Sequence, residues 1–168
     1  MCLLITDDGS NRLDHILSSL DPLLANAMFE IHLLRVVPTS AVHDTPVDAA
    51  PDIHPSAGFT GIALNDDQPS VHLTEDRGQA MVSLRTRVAE SLEDAARRHI
   101  SRPVFAHLAL NDEPAEQICQ SAKELRADLV MVGTRGRKGV GRMVLGSVAD
   151  DVIRHCTVPV LVVGPNAQ

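Results

Sequence analysis

Two hydrophobic patterns alternate along the chain. The first is a short, unbroken apolar run: "CLLIT" at Cys2–Thr6, "FEIHLLRVV" at Phe29–Val37, "VFAHLAL" at Val104–Leu110, "DLVMVG" at Asp128–Gly133 and "VPVLVVG" at Val158–Gly164. Runs of this length, bounded by Asp, Gly and Pro, predict strands buried on both faces. The second pattern repeats every three or four residues. It places Leu13, Ile16, Leu17, Leu20, Leu23, Leu24 and Ala27 on one helical stripe, with Ser10 positioned to cap it and Pro22 predicting a kink or two shorter helices. It returns at Met81, Leu84, Val88, Leu92, Ala95 and Ala96 within Gln79–Ile100, with Arg85, Arg87, Glu90, Glu93 and Arg97 mostly off the stripe. A third helix starts near Pro114, with Asn111 or Asp112 as cap, Glu113 and Glu116 at its positive end, and a stripe of Ile118, Cys119, Ala122 and Leu125. A fourth spans Leu145–Cys156. Strand and helix alternate, and the strands lack a period of two. That predicts an α/β domain: a parallel sheet covered by helices on both faces.

One segment breaks the alternation. Thr39–Arg77 contains Pro46, Pro51, Pro55 and Pro69 together with Asp44, Asp48, Asp52, Asp66, Asp67, Glu75 and Asp76. It has no clear period and reads as an acidic, Pro-rich, partly mobile insertion within a single domain spanning 1–168.

Composition narrows the function. The 168 residues are 44% apolar, enough for one domain with a real core. A formal net charge of -7 disfavours non-specific binding to nucleic acid, and the absence of Trp and Tyr leaves little to stack on bases. The amino terminus carries no secretory pattern, and no apolar run approaches the roughly 20 residues that cross a membrane. Cys2, Cys119 and Cys156 are odd in number and scattered, which argues for a reducing, cytoplasmic setting and against a disulfide framework or a CxxC metal site. Cys2 and Cys119 read as inert core residues.

Against that acidic background, "MVGTRGRKGVGRMVLGSV" at Met131–Val148 concentrates glycine and positive charge directly after a strand. In an open parallel sheet, ligands bind beyond the carboxyl ends of the strands, where strand order reverses. Gly133 and Gly136 would let the backbone approach a ligand. Gly146 and Ser147 would open a helix whose free N–H groups attract an anion. Arg135, Arg137, Lys138 and Arg142 raise the local potential. This describes a phosphate chain. Neither the G-x4-G-K-[ST] loop nor a G-x-G-x-x-G after the first strand is present, since that turn reads Asp7-Asp8-Gly9-Ser10.

With these residues placed, the chain resembles the universal stress protein family, specifically its ATP-binding branch. The resemblance is carried by "LLITDDGS", "HLLRVV", "EPAEQICQSAKELRADLVMVGTRGRKG" and "LGSVADDVIRHCTVPVLVV", and covers most of the chain outside Thr39–Arg77. It implies an open five-stranded, Rossmann-like sheet in order 3-2-1-4-5, with ATP between the ends of strands one and four. Carried over by position, Asp8 would lie near ribose and adenine beside the backbone of Thr6 and Asp7. Val37 would pack on adenine, and Val132 and Gly133 on the ribose side. Arg135, Gly136, Gly146, Ser147 and Val148 would surround the phosphates, with Mg2+ as an accompanying ion. The resemblance also implies a homodimer through the edge strand Val158–Val163.

Three functions fit these residues: a stress-response or signalling switch that regulates a protein partner, a slow ATPase or autokinase, and a scaffold with a structural nucleotide. The sequence offers no evident base to activate water, so no catalytic residue is assigned. Ser147 sits in Leu145-Gly146-Ser147-Val148-Ala149, outside the G-x-S-x-G pattern of hydrolases. His43, His54 and His72 match no zinc spacing, so no metal ligand is assigned. His32 and His107 read as satisfied strand residues, and His155 as a favourable charge at a helix C-terminus.

Overall fold

The computed structural model describes residues 1–9, 12–24, 29–42, 75–134 and 145–164. Its elements are β1 (Cys2–Asp7), α1 (Arg12–Leu24), β2 (Glu30–Val37), α2 (Glu75–His99), β3 (Val104–Leu110), α3 (Pro114–Glu124), β4 (Leu129–Gly133), α4 (Ser147–His155) and β5 (Val160–Val163). The five strands form one sheet in the order β3-β2-β1-β4-β5, and every neighbouring pair is parallel. Burial on both faces explains the unbroken apolar runs. Along β1, Leu3 and Ile5 enter one core, and Leu4 between them enters the other.

The larger core lies under α1 and α2 and includes Leu13, Ile16, Leu17 and Leu20 from α1 with Leu84, Val88, Leu92, Ala95 and Ala96 from α2. Those are the predicted stripes. The smaller core lies under α3 and α4 and includes Ile118, Ala122, Ala149 and Val152. Ion pairs tie helices together at the rim: Arg98 donates to Asp14 at 2.8 Å, joining α2 to α1.

Several local expectations are corrected. Pro22 does not divide the first helix, because α1 continues as one element through Leu24. Only two residues follow Pro22, so the missing N–H removes a single bond from a terminal turn. The segment expected as insertion has structured ends: one turn of 3-10 helix over Thr39–Val42, and the first residues of α2 from Glu75. Residues 43–74 lie outside the described residues, as do Ser10 and the three histidines His43, His54 and His72. The cap of α3 is Glu113, with no side-chain bond. Asn111 Oδ1 instead accepts from the Glu113 N–H at 2.8 Å. Asp112 accepts from the Thr39 N–H at 3.0 Å and from its hydroxyl at 2.9 Å, pinning the chain beyond β2 to the β3–α3 turn.

At its other end α3 closes with Arg126 in the left-handed region, at φ 51°. The Ala127 N–H donates to the Ala122 carbonyl at 2.8 Å and the Arg126 N–H to Lys123 at 3.1 Å, a Schellman cap without its usual glycine. The largest correction concerns the cysteines. Cys119 of α3 and Cys156 at the end of α4 form a disulfide, with Cα atoms 5.0 Å apart. Their separation along the chain hid the pairing, since helices 37 residues apart in sequence pack side by side.

Candidate functional site

The crevice lies where β1 and β4 are neighbours and the connections leave towards opposite faces. Its volume is about 290 Å³. Thr6, Asp7 and Asp8 form its floor at the end of β1, and Val132 and Gly133 at the end of β4. Leu34, Val36 and Pro38 bound it from β2, Leu13 and Ile16 from α1, Pro114 and Ile118 from α3, and Gly146 to Ala149 from α4. The wall is largely apolar, and two helix amino ends converge on it.

At α4 the arrangement suits an anion. Gly146 caps the helix without a side-chain bond, so the amides of the first turn have no such partner. The positive end of the helix dipole faces the same way. Gly146 has φ −67° and ψ 155°, a conformation open to any residue, so its value is the space a missing side chain leaves. Gly9 differs: at φ 77° the turn after β1 requires glycine. Gly133 differs again. A Cβ there would meet Ile16 Cδ1 at 3.0 Å, so this glycine lets α1 lie close against β4. Gly133 lines the crevice and also lets α1 pack at its wall.

The polar floor is strongly organised. Asp7 is buried and pairs with Arg35 of β2, whose Nε donates to Oδ2 at 2.7 Å and whose Nη2 makes a second, shorter contact. Arg35 also reaches Ser91 Oγ of α2 at 3.3 Å. Burial raises the Asp7 carboxyl above its ordinary value, and the Arg35 charge and hydrogen bond only partly oppose this. The Thr6 hydroxyl donates to the Met131 carbonyl at 3.2 Å, fastening β1 to β4 across the floor. Asp8 is exposed at the mouth. Behind the site, His15 Nε2 donates to the Gly164 carbonyl at 3.0 Å and holds α1 to the end of β5.

Thr6, Asp7, Asp8, Val132, Gly133, Gly146, Ser147 and Val148 all line the crevice. Val37 does not. The strand pleat turns it towards the α1/α2 core, and its neighbour Val36 takes the crevice position. Arg135 and Gly136 lie outside the described residues. Sequence reasoning passed over Leu34, Pro38, Leu13, Ile16, Pro114, Ile118 and Ala149. Their stripes marked them as apolar, but nothing in a stripe says which of its members overlooks the strand ends.

Fold and site define an α/β protein of the open-sheet class with a small-molecule crevice at its topological switch point. The sequence profile of the Universal stress protein family matches residues 3–164, and the chain belongs to that family. Universal stress protein MJ0531 of Methanocaldococcus jannaschii is 46% identical over 54 residues, 32% of this chain and 32% of its own length. Universal stress protein E of Salmonella typhi is 28% identical over 137 residues, covering 82% of this chain and 36% of its own length. The matched stretches thus span about a third of these relatives. Among solved structures, hypothetical protein MJ0577 superposes with a TM-score of 0.63 at 18% identity, covering 98% of this chain and 96% of the other. A universal stress protein from Archaeoglobus fulgidus in complex with dAMP superposes at 0.56 with 16% identity, covering 96% of each chain. A universal stress protein in complex with cAMP superposes at 0.55 with 16% identity, covering 98% and 96%. Among the described residues, no helix is long and apolar enough to cross a membrane.

Proposed function

We propose that the protein binds an adenine nucleotide, ATP by preference, in the β1/β4 crevice and acts as a nucleotide-dependent switch for a protein partner. The observation that carries this reading is the joint presence of an apolar slot and uncapped α4 amides at the carboxyl ends of β1 and β4. The volume of about 290 Å³ is at the lower end for small-molecule sites, roughly 300–1,000 Å³. Val36, Leu34 and Ile118 would flank the base, Asp8 the ribose, and Gly146 and Ser147 the phosphates. Mg2+ would enter with the phosphates. The dAMP and cAMP bound by the two similar proteins support an adenine ligand.

Rapid hydrolysis finds less support. Among the described residues lining the crevice only Asp7 and Asp8 ionise as acids or bases, and Asp7 is engaged by Arg35. Calorimetric titration of ATP tests the reading. Wild type should bind one equivalent, and Gly146→Val should weaken binding about tenfold or more, a steric penalty of roughly 1.4 kcal/mol. Gly146→Val is the cleaner variant, because a side chain at Gly133 would first disturb Ile16. Equal affinities would sink the assignment.

The same reading includes a homodimer through β5. This strand ends the sheet order, and Leu161 on it is 38% exposed. A second copy pairing along the strand would cover both edges. Sedimentation should give a dimer that Leu161→Lys dissociates. A monomeric wild type would contradict it.

A further inference from the structure

Cys119 and Cys156 join the two helices that wall one side of the crevice. Cys119 directly follows Ile118, a crevice residue, and Cys156 ends the helix whose first turn faces the phosphate position. α4 has nine residues, so a rigid rod of about 14 Å connects the disulfide to Ser147. Of its side chains Ala149 and Val152 are fully buried, and Val148 and Cys156 pack against the same core. The disulfide adds a covalent tie to that packing at the end of the rod far from the crevice. Both cysteines are half-buried at the rim of the smaller core. Cys2 stands apart, free at the start of β1.

We propose that Cys119 and Cys156 form a reversible redox staple that sets the affinity of the crevice for nucleotide. It rests on the nucleotide reading given above. Closed, the staple holds α4 against α3 with its amino end on the crevice. Open, it frees α4 and weakens binding. The co-reactant is a low-molecular-weight disulfide, RSSR. One cysteine thiolate attacks RSSR, forms a mixed disulfide and expels RS⁻. The second thiolate attacks the protein sulfur of that mixed disulfide, closes the Cys119–Cys156 bond and expels the second RS⁻. The protons lost by the two protein thiols end on two RSH. The protein pair is oxidised and RSSR is reduced. Coupling is reciprocal, so bound nucleotide must favour closure by the same factor that closure favours nucleotide.

The full chain is equilibrated in reduced and oxidised glutathione, with and without ATP, then quenched with a maleimide and weighed by peptide. ATP affinity is measured on each form. The oxidised protein should bind ATP about fivefold more tightly or better, and saturating ATP should shift the glutathione midpoint by the same factor. Cys119→Ser and Cys156→Ser should bind like the reduced protein in either buffer, and Cys2→Ser should follow wild type. If ATP binds both forms equally, the staple is overturned and the nucleotide site stands. If maleimide labels all three cysteines in oxidised glutathione, the staple is again overturned alone. If ATP binds neither form, the nucleotide reading falls and the staple's role falls with it.

Discussion

Each face of the sheet carries one buried polar pair between adjacent strands, and the two pairs are solved in opposite ways. On the α1/α2 face, Asp7 of β1 meets Arg35 of β2, with side chains 1% and 17% exposed. On the α3/α4 face, His32 of β2 meets His107 of β3, with Nδ1 and Nε2 2.8 Å apart and the rings stacked. The first pair sets the Asp7 carboxyl against the Arg35 guanidinium, which also reaches Ser91, and leaves Asp7 Oδ1 buried without a hydrogen-bond partner. In the second, burial first and then the nearby His32 lower His107 to about 4. Burial favours loss of the proton from His107, while His32 Nε2 stands 3.3 Å from Glu30 Oε1. The Asp7–Arg35 pair sits at the carboxyl end of the sheet, at the floor of the crevice, and the histidine pair sits away from it.

The largest expected effect comes from breaking the charged pair. Arg35→Met leaves the Asp7 carboxylate buried without its partner and should destabilise the fold by about 3–5 kcal/mol near neutral pH. The folded carboxyl is already raised, so its contribution falls as pH rises above the unfolded value of 3.8. Losing Arg35 widens that window upwards. The gap between wild type and variant should therefore shrink as pH falls from neutral towards the unfolded value of 3.8, because Asp7 takes up a proton on the way. Denaturant titrations at both pH values check this, and a gap independent of pH would mean the pair contributes packing rather than charge.

His107 should respond with the opposite sign. His107 is lowered from 6.5 to about 4, so the stability it supports is present above 6.5 and is lost as pH falls through that interval. The loss amounts to roughly 3 kcal/mol over the full window. His107→Leu should flatten this slope even if its stability at neutral pH is lower. An unchanged slope would place the acid sensitivity elsewhere.

The smallest effect tests the α3/α4 face through its cap. Arg126 occupies a left-handed position that glycine adopts freely. Arg126→Gly should stabilise the protein by about 0.5–1 kcal/mol, read as a higher denaturation midpoint. A loss of stability would show that the Arg126 side chain outweighs its backbone strain.

The sheet was legible because burial on both faces writes an unbroken apolar run, and the amphipathic stripes of α1 and α2 were legible for the related reason. The glycines and Ser147 around α4 were legible as chemistry, since few other uses combine small residues with a helix start after a strand. What failed was everything set by relative placement. Val36 and Val37 are alike in sequence, and only the pleat decides which one faces the crevice. Gly133 was legible as a crevice glycine, but its packing against Ile16 was not. Cys119 and Cys156 looked unrelated because the packing of α3 on α4 leaves no local trace. Pro22 looked like a break because its distance from the end of α1 was unknown.

The central claim is that the β1/β4 crevice holds an adenine nucleotide, and the chain is well suited to a direct measurement. It has no Trp or Tyr, so its own absorbance near 280 nm is slight and an adenine band stands clear. Protein incubated with ATP and passed through a desalting column should carry a 260 nm band of about one adenine per chain, identified by chromatography after denaturation. Gly146→Val treated in the same way should carry almost none. Wild type emerging without adenine at saturating ATP, or a variant retaining it in full, would contradict the account.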